Sequence, residues 1–208
     1  MASDVPTPGP LDYGRPRRPA RPPGPPGIAT FGMWLFLLSL FILFASAMVA
    51  YVVIREAGSR SPHQGALHFP PILWLSTAMV IGVSVALSRA LHFIRRERQA
   101  DFRSWLVISL ALATGFLLVQ APAMAILLIE HKRFRSAGIF LYGLVFILVL
   151  LHALHVVGGM VSLIRVTWRS RRGAYDHEQY QPVRYTVMYW HFLDVIWVLM
   201  FTTFLLTA

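Results

Sequence analysis

Apolar residues in this chain come in five long blocks, with neither the three-and-four spacing of a half-buried helix nor the alternation of a strand. The blocks cover about residues 28–54, 71–94, 104–129, 137–164 and 185–207. About 20 apolar residues carry a helix across the hydrocarbon of a bilayer. Each block reaches that length, and most exceed it, which leaves room for tilt. The pattern predicts an all-α polytopic membrane protein, a bundle of five transmembrane helices occupying 28–208.

The polar stretches between the blocks are short, apart from 55–69 and 166–184. No soluble domain is expected between spans, so any chemistry lies in the membrane or at its surfaces. Residues 1–27, ending "RPRRPARPPGPPG", are rich in proline and arginine and lack an apolar run. They are expected to form a disordered or extended cytoplasmic tail. A secretory signal peptide is not expected, because the first apolar block is too long and lacks a small-residue cleavage site beside it.

Composition agrees with the blocks. Of 208 residues, 56% are hydrophobic and 13% charged, against roughly a quarter charged in a soluble domain. There is no cysteine. That removes disulfides, thiolate sites for zinc, iron–sulfur clusters or dinuclear copper, and c-type haem attachment.

A net charge of +10 raises the question of nucleic acid, but the placement of the charge gives another answer. Arg15, Arg17, Arg18 and Arg21 precede the first block. Arg89, Arg95, Arg96, Arg98 and Arg103 cluster at and after the end of the second, and Arg165, Arg169, Arg171, Arg172 and Arg184 lie between the fourth and fifth. Only Arg55, Arg60, Lys132, Arg133 and Arg135 fall on the other side. The positive-inside rule then puts the N-terminus in the cytoplasm and the C-terminus outside. The basic residues are read as a topology signal and as contacts for anionic lipid headgroups, not as a nucleic-acid surface.

Ionisable groups inside spans are candidates for function because hydrocarbon penalises them. The fourth block carries "LLHALHVVGG", with His152 and His155 three apart on one helix face. The fifth carries "YWHFLDVIW", with His191 and Asp194 three apart and Trp190 and Trp197 around them. The third has Gln120 within it and Glu130 at its outer boundary. Residue spacing leaves three readings open: interhelical packing, a proton or ion relay, and a metal or haem site. Packing is favoured by Gly158 and Gly159, which admit a close backbone, and by an aspartate placed to satisfy its own helix's histidine. Trp34, Trp74 and Trp105 fall near span ends, where aromatic belts form, and Trp190 is a further belt candidate. Trp197 lies deeper and is expected against a protein neighbour. Pro122 is expected to kink the third span and open a cleft, and Arg89 and His92 to snorkel to the surface.

Four motifs, in order, carry a family resemblance. "YWHFLDVIW" resembles the "YWHFVDVVW" signature of subunit III of the haem–copper oxidases, the cytochrome c and quinol oxidase family. "LLHALHVVGG" is similar to that family's "GFHGLHVIIG", "GMWLFLLS" to its "GMxLFIxSE", and "VIGVSVALS" to its "ASGVSITWA". The resemblance covers the chain after residue 27 and implies the five-helix bacterial form, complete without the first helix pair of longer members. It implies a non-catalytic, lipid-binding subunit of a proton-pumping terminal oxidase that reduces oxygen to water in aerobic respiration. This chain would hold no haem or copper, those groups residing in subunits I and II. It would pack on subunit I, with subunit II and other respiratory subunits as further partners. Phospholipid would lie in a V-shaped cleft between the helices, and the subunit would support assembly, stability and proton uptake in a bacterial inner membrane.

The resemblance assigns His155, His191 and Asp194 to packing, in an expected interhelical polar network with His152, Trp190 and Trp197, and places Arg169 near a lipid headgroup. One departure stands out: the family's buried carboxylate after the serine of the first matched helix is replaced here by Leu40, following Ser39. The alternatives are an accessory protein of nitric oxide reductase and, in another class, an independent transporter. Whether electrons come from cytochrome c or quinol is decided by other subunits.

Overall fold

The computed structural model describes residues 27–58, 72–135, 140–173, 175 and 180–207, with the side chains of 58, 72–73, 123–124, 126–142 and 207 left out of the description. Its elements are α1 (Ile28–Gly58), α2 (Ile72–Arg95), α3 (Gln99–Arg135), α4 (Phe140–Arg171) and α5 (Gln181–Thr207). All five are long and apolar enough to cross a membrane, and among the described residues there is no strand. The proline-rich segment expected as a tail lies outside the described residues apart from Gly27, whose carbonyl accepts the Phe31 amide at 2.8 Å.

The helices outrun the apolar blocks. α3 starts five residues earlier than the apolar pattern and ends six later, and α4 continues seven residues further to Arg171. Hydropathy marks only the hydrocarbon segment, whereas the helical backbone hydrogen bonds continue through the arginine-bearing turns beyond it. α3 also runs unbroken through Pro122. The proline costs the helix the amide that would meet the Leu118 carbonyl, at a point where Leu118 itself is exposed.

α2 and α3 form a hairpin. Buried Val80, Val83, Leu87, Ala90 and Ile94 recur every three or four residues along α2, and Phe102, Leu106, Ser109, Ala113 and Phe116 do the same along α3. That spacing makes a continuous seam between antiparallel neighbours. Because lipid tails are as apolar as leucine, the seam is held by close packing rather than by escape from water. The connecting turn is tight. Glu97 adopts φ 60°, the Arg98 amide reaches back to the Phe93 carbonyl at 3.1 Å, and this closes α2 in a left-handed cap.

Two apolar cores result. The larger unites α2, α3, α4 and α5 around Leu87, Phe116, Leu163 and Trp190. The smaller joins α1, α4 and α5 around Phe44, Tyr51, Leu148 and Met200. Among the described residues α1 packs on α4 and α5 but not on α2 or α3. The space between α1 and α2, floored by α5, is a groove of about 710 Å³.

Candidate functional site

Helix α5 has two polar faces, and each meets a different neighbour. Toward α4, Tyr189 donates its hydroxyl to the His155 carbonyl at 3.0 Å, and Trp190 donates its indole N–H to the Gly159 carbonyl at 3.2 Å. A Cβ at Gly159 would lie 3.1–3.3 Å from Leu193, Tyr189 and Trp190. The glycine thus makes room for side chains, and aromatic rings fill the notch expected to admit a backbone. Trp190 is 1% exposed and about 14 Å along the helix from Gln181. The belt position considered for it is therefore wrong: its ring is buried in the bundle, while Trp34 and Trp74, 61% and 62% exposed, stand outside it.

Toward α2 the same helix presents titratable groups. Ser84 Oγ lies 2.8 Å from His191 Nδ1 and also donates to Asp194 Oδ2, while Ser88 Oγ lies 3.0 Å from His191 Nε2. His191 and Asp194 are thus joined through a serine of α2 rather than directly along their own helix. Asp194 is 8% exposed, and its Oδ1 is buried without a partner. His191 and Ser88 are exposed to the groove. Arg95 and Arg184 line its arginine-bearing end, and Trp34, Leu37 and Phe41 of α1 form the apolar wall. One turn beyond Asp194, Trp197 donates to Thr77 Oγ1 at 3.1 Å, a fourth hydrogen bond between α5 and α2.

The two histidines of α4 do not join this ladder. His152 is buried between Phe44 and Trp197, with ring centroids at 6.1 and 5.3 Å, and its Nδ1 has no partner. His155 bonds its own helix's Leu151 carbonyl through Nδ1 at 2.7 Å and meets Phe44 at 5.3 Å. Among the described residues no group of three or more histidine, aspartate or glutamate side chains is gathered as for a metal. Glu130 lies on α3, and its side chain is outside those described. Leu40 is buried, and Ser39 bonds its own helix's Leu35 carbonyl at 2.9 Å.

Arg169 lines a second depression, of about 440 Å³, between α4 and α5, together with Arg165, Ser162 and Thr186. Beside it Tyr175 is buried, and burial pushes its phenol above the ordinary range while the Arg169 charge and hydrogen bond act against the rise.

Comparison with known proteins follows the geometry. Residues 26–207 match the family model described as cytochrome c oxidase subunit III. The chain is 29% identical to cytochrome c oxidase subunit 3 of Thermostichus vulcanus over 175 residues, 82% of this chain and 83% of that one. It is 24% identical to cytochrome c oxidase subunit 3 of Bacillus sp. (strain PS3) over 171 residues, 82% of each. It is also 25% identical over 177 residues to the probable quinol oxidase subunit 3 of Staphylococcus aureus (strain USA300), 82% of this chain and 85% of that one.

Proposed function

This chain belongs to the cytochrome c oxidase subunit III family, and from that premise we propose that it is a non-catalytic, lipid-binding subunit of a haem–copper terminal oxidase. The family match across 182 of 208 residues carries the reading. The chain is an integral membrane protein, and its work is to support the assembly, stability and proton uptake of a catalytic subunit that holds haem and copper. Phospholipid occupies the groove between α1 and α2 and the depression beside Arg169. The apolar walls and paired arginines of the groove support that occupancy, since such a surface complements an acyl chain and an anionic headgroup. The contacts of His191, Asp194, Trp190 and Trp197 set the packing of α5. The arginine asymmetry supports a bacterial inner-membrane orientation with the N-terminus in the cytoplasm.

Mild detergent purification of the tagged chain from its own membranes tests this reading. Co-purification of a haem-bearing oxidase core is expected, with no haem absorbance or stoichiometric transition metal in the separated subunit. A full equivalent of metal lost on replacing His152, His155 or His191 would overturn the non-catalytic assignment. Recovery without any oxidase subunit would overturn the partner.

A further inference from the structure

We propose that Ser88, His191 and Ser84 form a proton-exchange path from the α1–α2 groove to the buried carboxyl of Asp194. The argument begins with hydrogen-bond direction. An ionised carboxylate only accepts, so Ser84 gives its hydroxyl proton to Asp194 Oδ2, and its oxygen is left to accept from His191 Nδ1–H. Neutral imidazole then has a bare Nε2, which accepts from Ser88 at 3.0 Å. Three donors in a row point from the groove toward Asp194, each within direct transfer distance of the next.

A proton entering from the groove replaces the one that Ser88 hands to Nε2. Nδ1 releases its proton to Ser84 as Ser84 releases its own to Asp194 Oδ2. The carboxylate becomes a carboxylic acid, both serines are restored, and the imidazole has changed tautomer. The reverse sequence returns the proton to the groove, so the path exchanges protons in both directions.

Depth gives the path a purpose. Arg184 stands at the rim, His191 is about 10 Å further along α5 and Asp194 about 15 Å, close to half of a hydrocarbon layer of roughly 30 Å. The groove opens the outer end of the path, where His191 and Ser88 are exposed below the arginine-bearing rim. The charged groups facing the path are few. Arg95 comes from α2 and Arg184 from α5, and α1 lines the groove with apolar side chains only. α4 contributes His152 against Trp197, and Asp101 of α3 is paired with Arg98. The two arginines oppose a bare hydronium and favour anionic proton carriers, phosphate headgroups among them. The unpartnered Oδ1 of Asp194 leaves the carboxyl without the second hydrogen bond that would fix it as an anion.

The path rests on the proposed support of proton uptake for its purpose but not for its geometry. The test uses the full chain in lipid nanodiscs without any oxidase core. The protonated-carboxyl infrared band that disappears in Asp194→Asn is followed after transfer into deuterated buffer. Its isotope shift should develop about a hundredfold more slowly in His191→Gln, the lower end of what a positioned proton-transfer group contributes. Ser84→Ala should slow it similarly and Ser84→Thr should restore it, and these two carry the test if His191→Gln does not fold. Equal exchange rates in wild type and both disabling variants would overturn the path. So would the absence of any Asp194-dependent band from mildly acidic to mildly alkaline buffer. Co-purification of the oxidase core with the same variants separates a failed path from a failed partner assignment.

Discussion

The two faces of α5 use polar atoms in opposite ways. Toward α4, Tyr189 and Trp190 each place one donor on one backbone carbonyl, and their rings fill the notch over Gly159. Those donors are satisfied, neither side chain is charged, and the indole is out of reach of water or lipid. Toward α2, the ladder of serine, histidine and aspartate leaves one carboxylate oxygen unpartnered and its outer end open to a groove. The first arrangement cements two helices. The second also joins two helices but stays in contact with the surroundings. The difference separates a polar group placed for packing from one placed for exchange, though both stand within the same nine residues.

Substitutions should divide along the same line. Trp190→Ala is expected to cost about 3–5 kcal/mol, as for other buried aromatics, read as a lowered unfolding midpoint in detergent; an unchanged midpoint would dissolve the contrast. Gly159→Leu forces a side chain into the occupied notch and should cost about 1–3 kcal/mol, again with a lower midpoint and with altered tryptophan fluorescence. Asp194→Asn keeps a hydrogen-bonding partner for Ser84 and should change stability by only about 0.6 kcal/mol, a typical value for polar contacts between membrane helices. A loss as large as that of Trp190→Ala would make the ladder a packing device like its counterpart.

The smallest effect is a control at the rim. The Tyr175 phenol is held above its ordinary range by burial. Its stabilising contribution is complete below the ordinary phenol value of about 10 and is lost as pH rises through the higher folded value. Tyr175→Phe should therefore unfold with a flatter pH dependence in alkaline buffer and be indistinguishable from wild type near neutrality.

The five spans were legible because long apolar runs have no other use at this length, and the four motifs placed His191 and Asp194 on α5. Their partners were not legible. Ser84 and Ser88 stand inside "GVSVALS", and a serine in an apolar helix can always bond its own backbone, as Ser39 and Ser109 do here. Their separation of four, matched against two titratable groups three apart, was the available signal. The expectation that aspartate would satisfy its own helix's histidine failed because Ser84 lies between them. Of the two places open to Trp190, the interhelical network holds and the belt does not, because α5 begins four residues before its apolar block, which puts the indole a full turn deeper than hydropathy suggests.

The isolation of α1 from α2 and α3 bears on how the molecule is made. A chain synthesised from its N-terminus delivers α1 to the bilayer first, yet the surfaces that seat it, on α4 and α5, emerge last. The α2–α3 hairpin can close as soon as α3 has been delivered to the bilayer. α1 must wait in lipid until α4 and then α5 arrive, its side chains meeting only tails and headgroups before then. Completion of α5, which packs on α1, α2 and α4, is thus the step that locks the inserted helices into one body. A nascent chain halted before it would present quality-control proteases with a first helix held by α4 alone beside a finished hairpin.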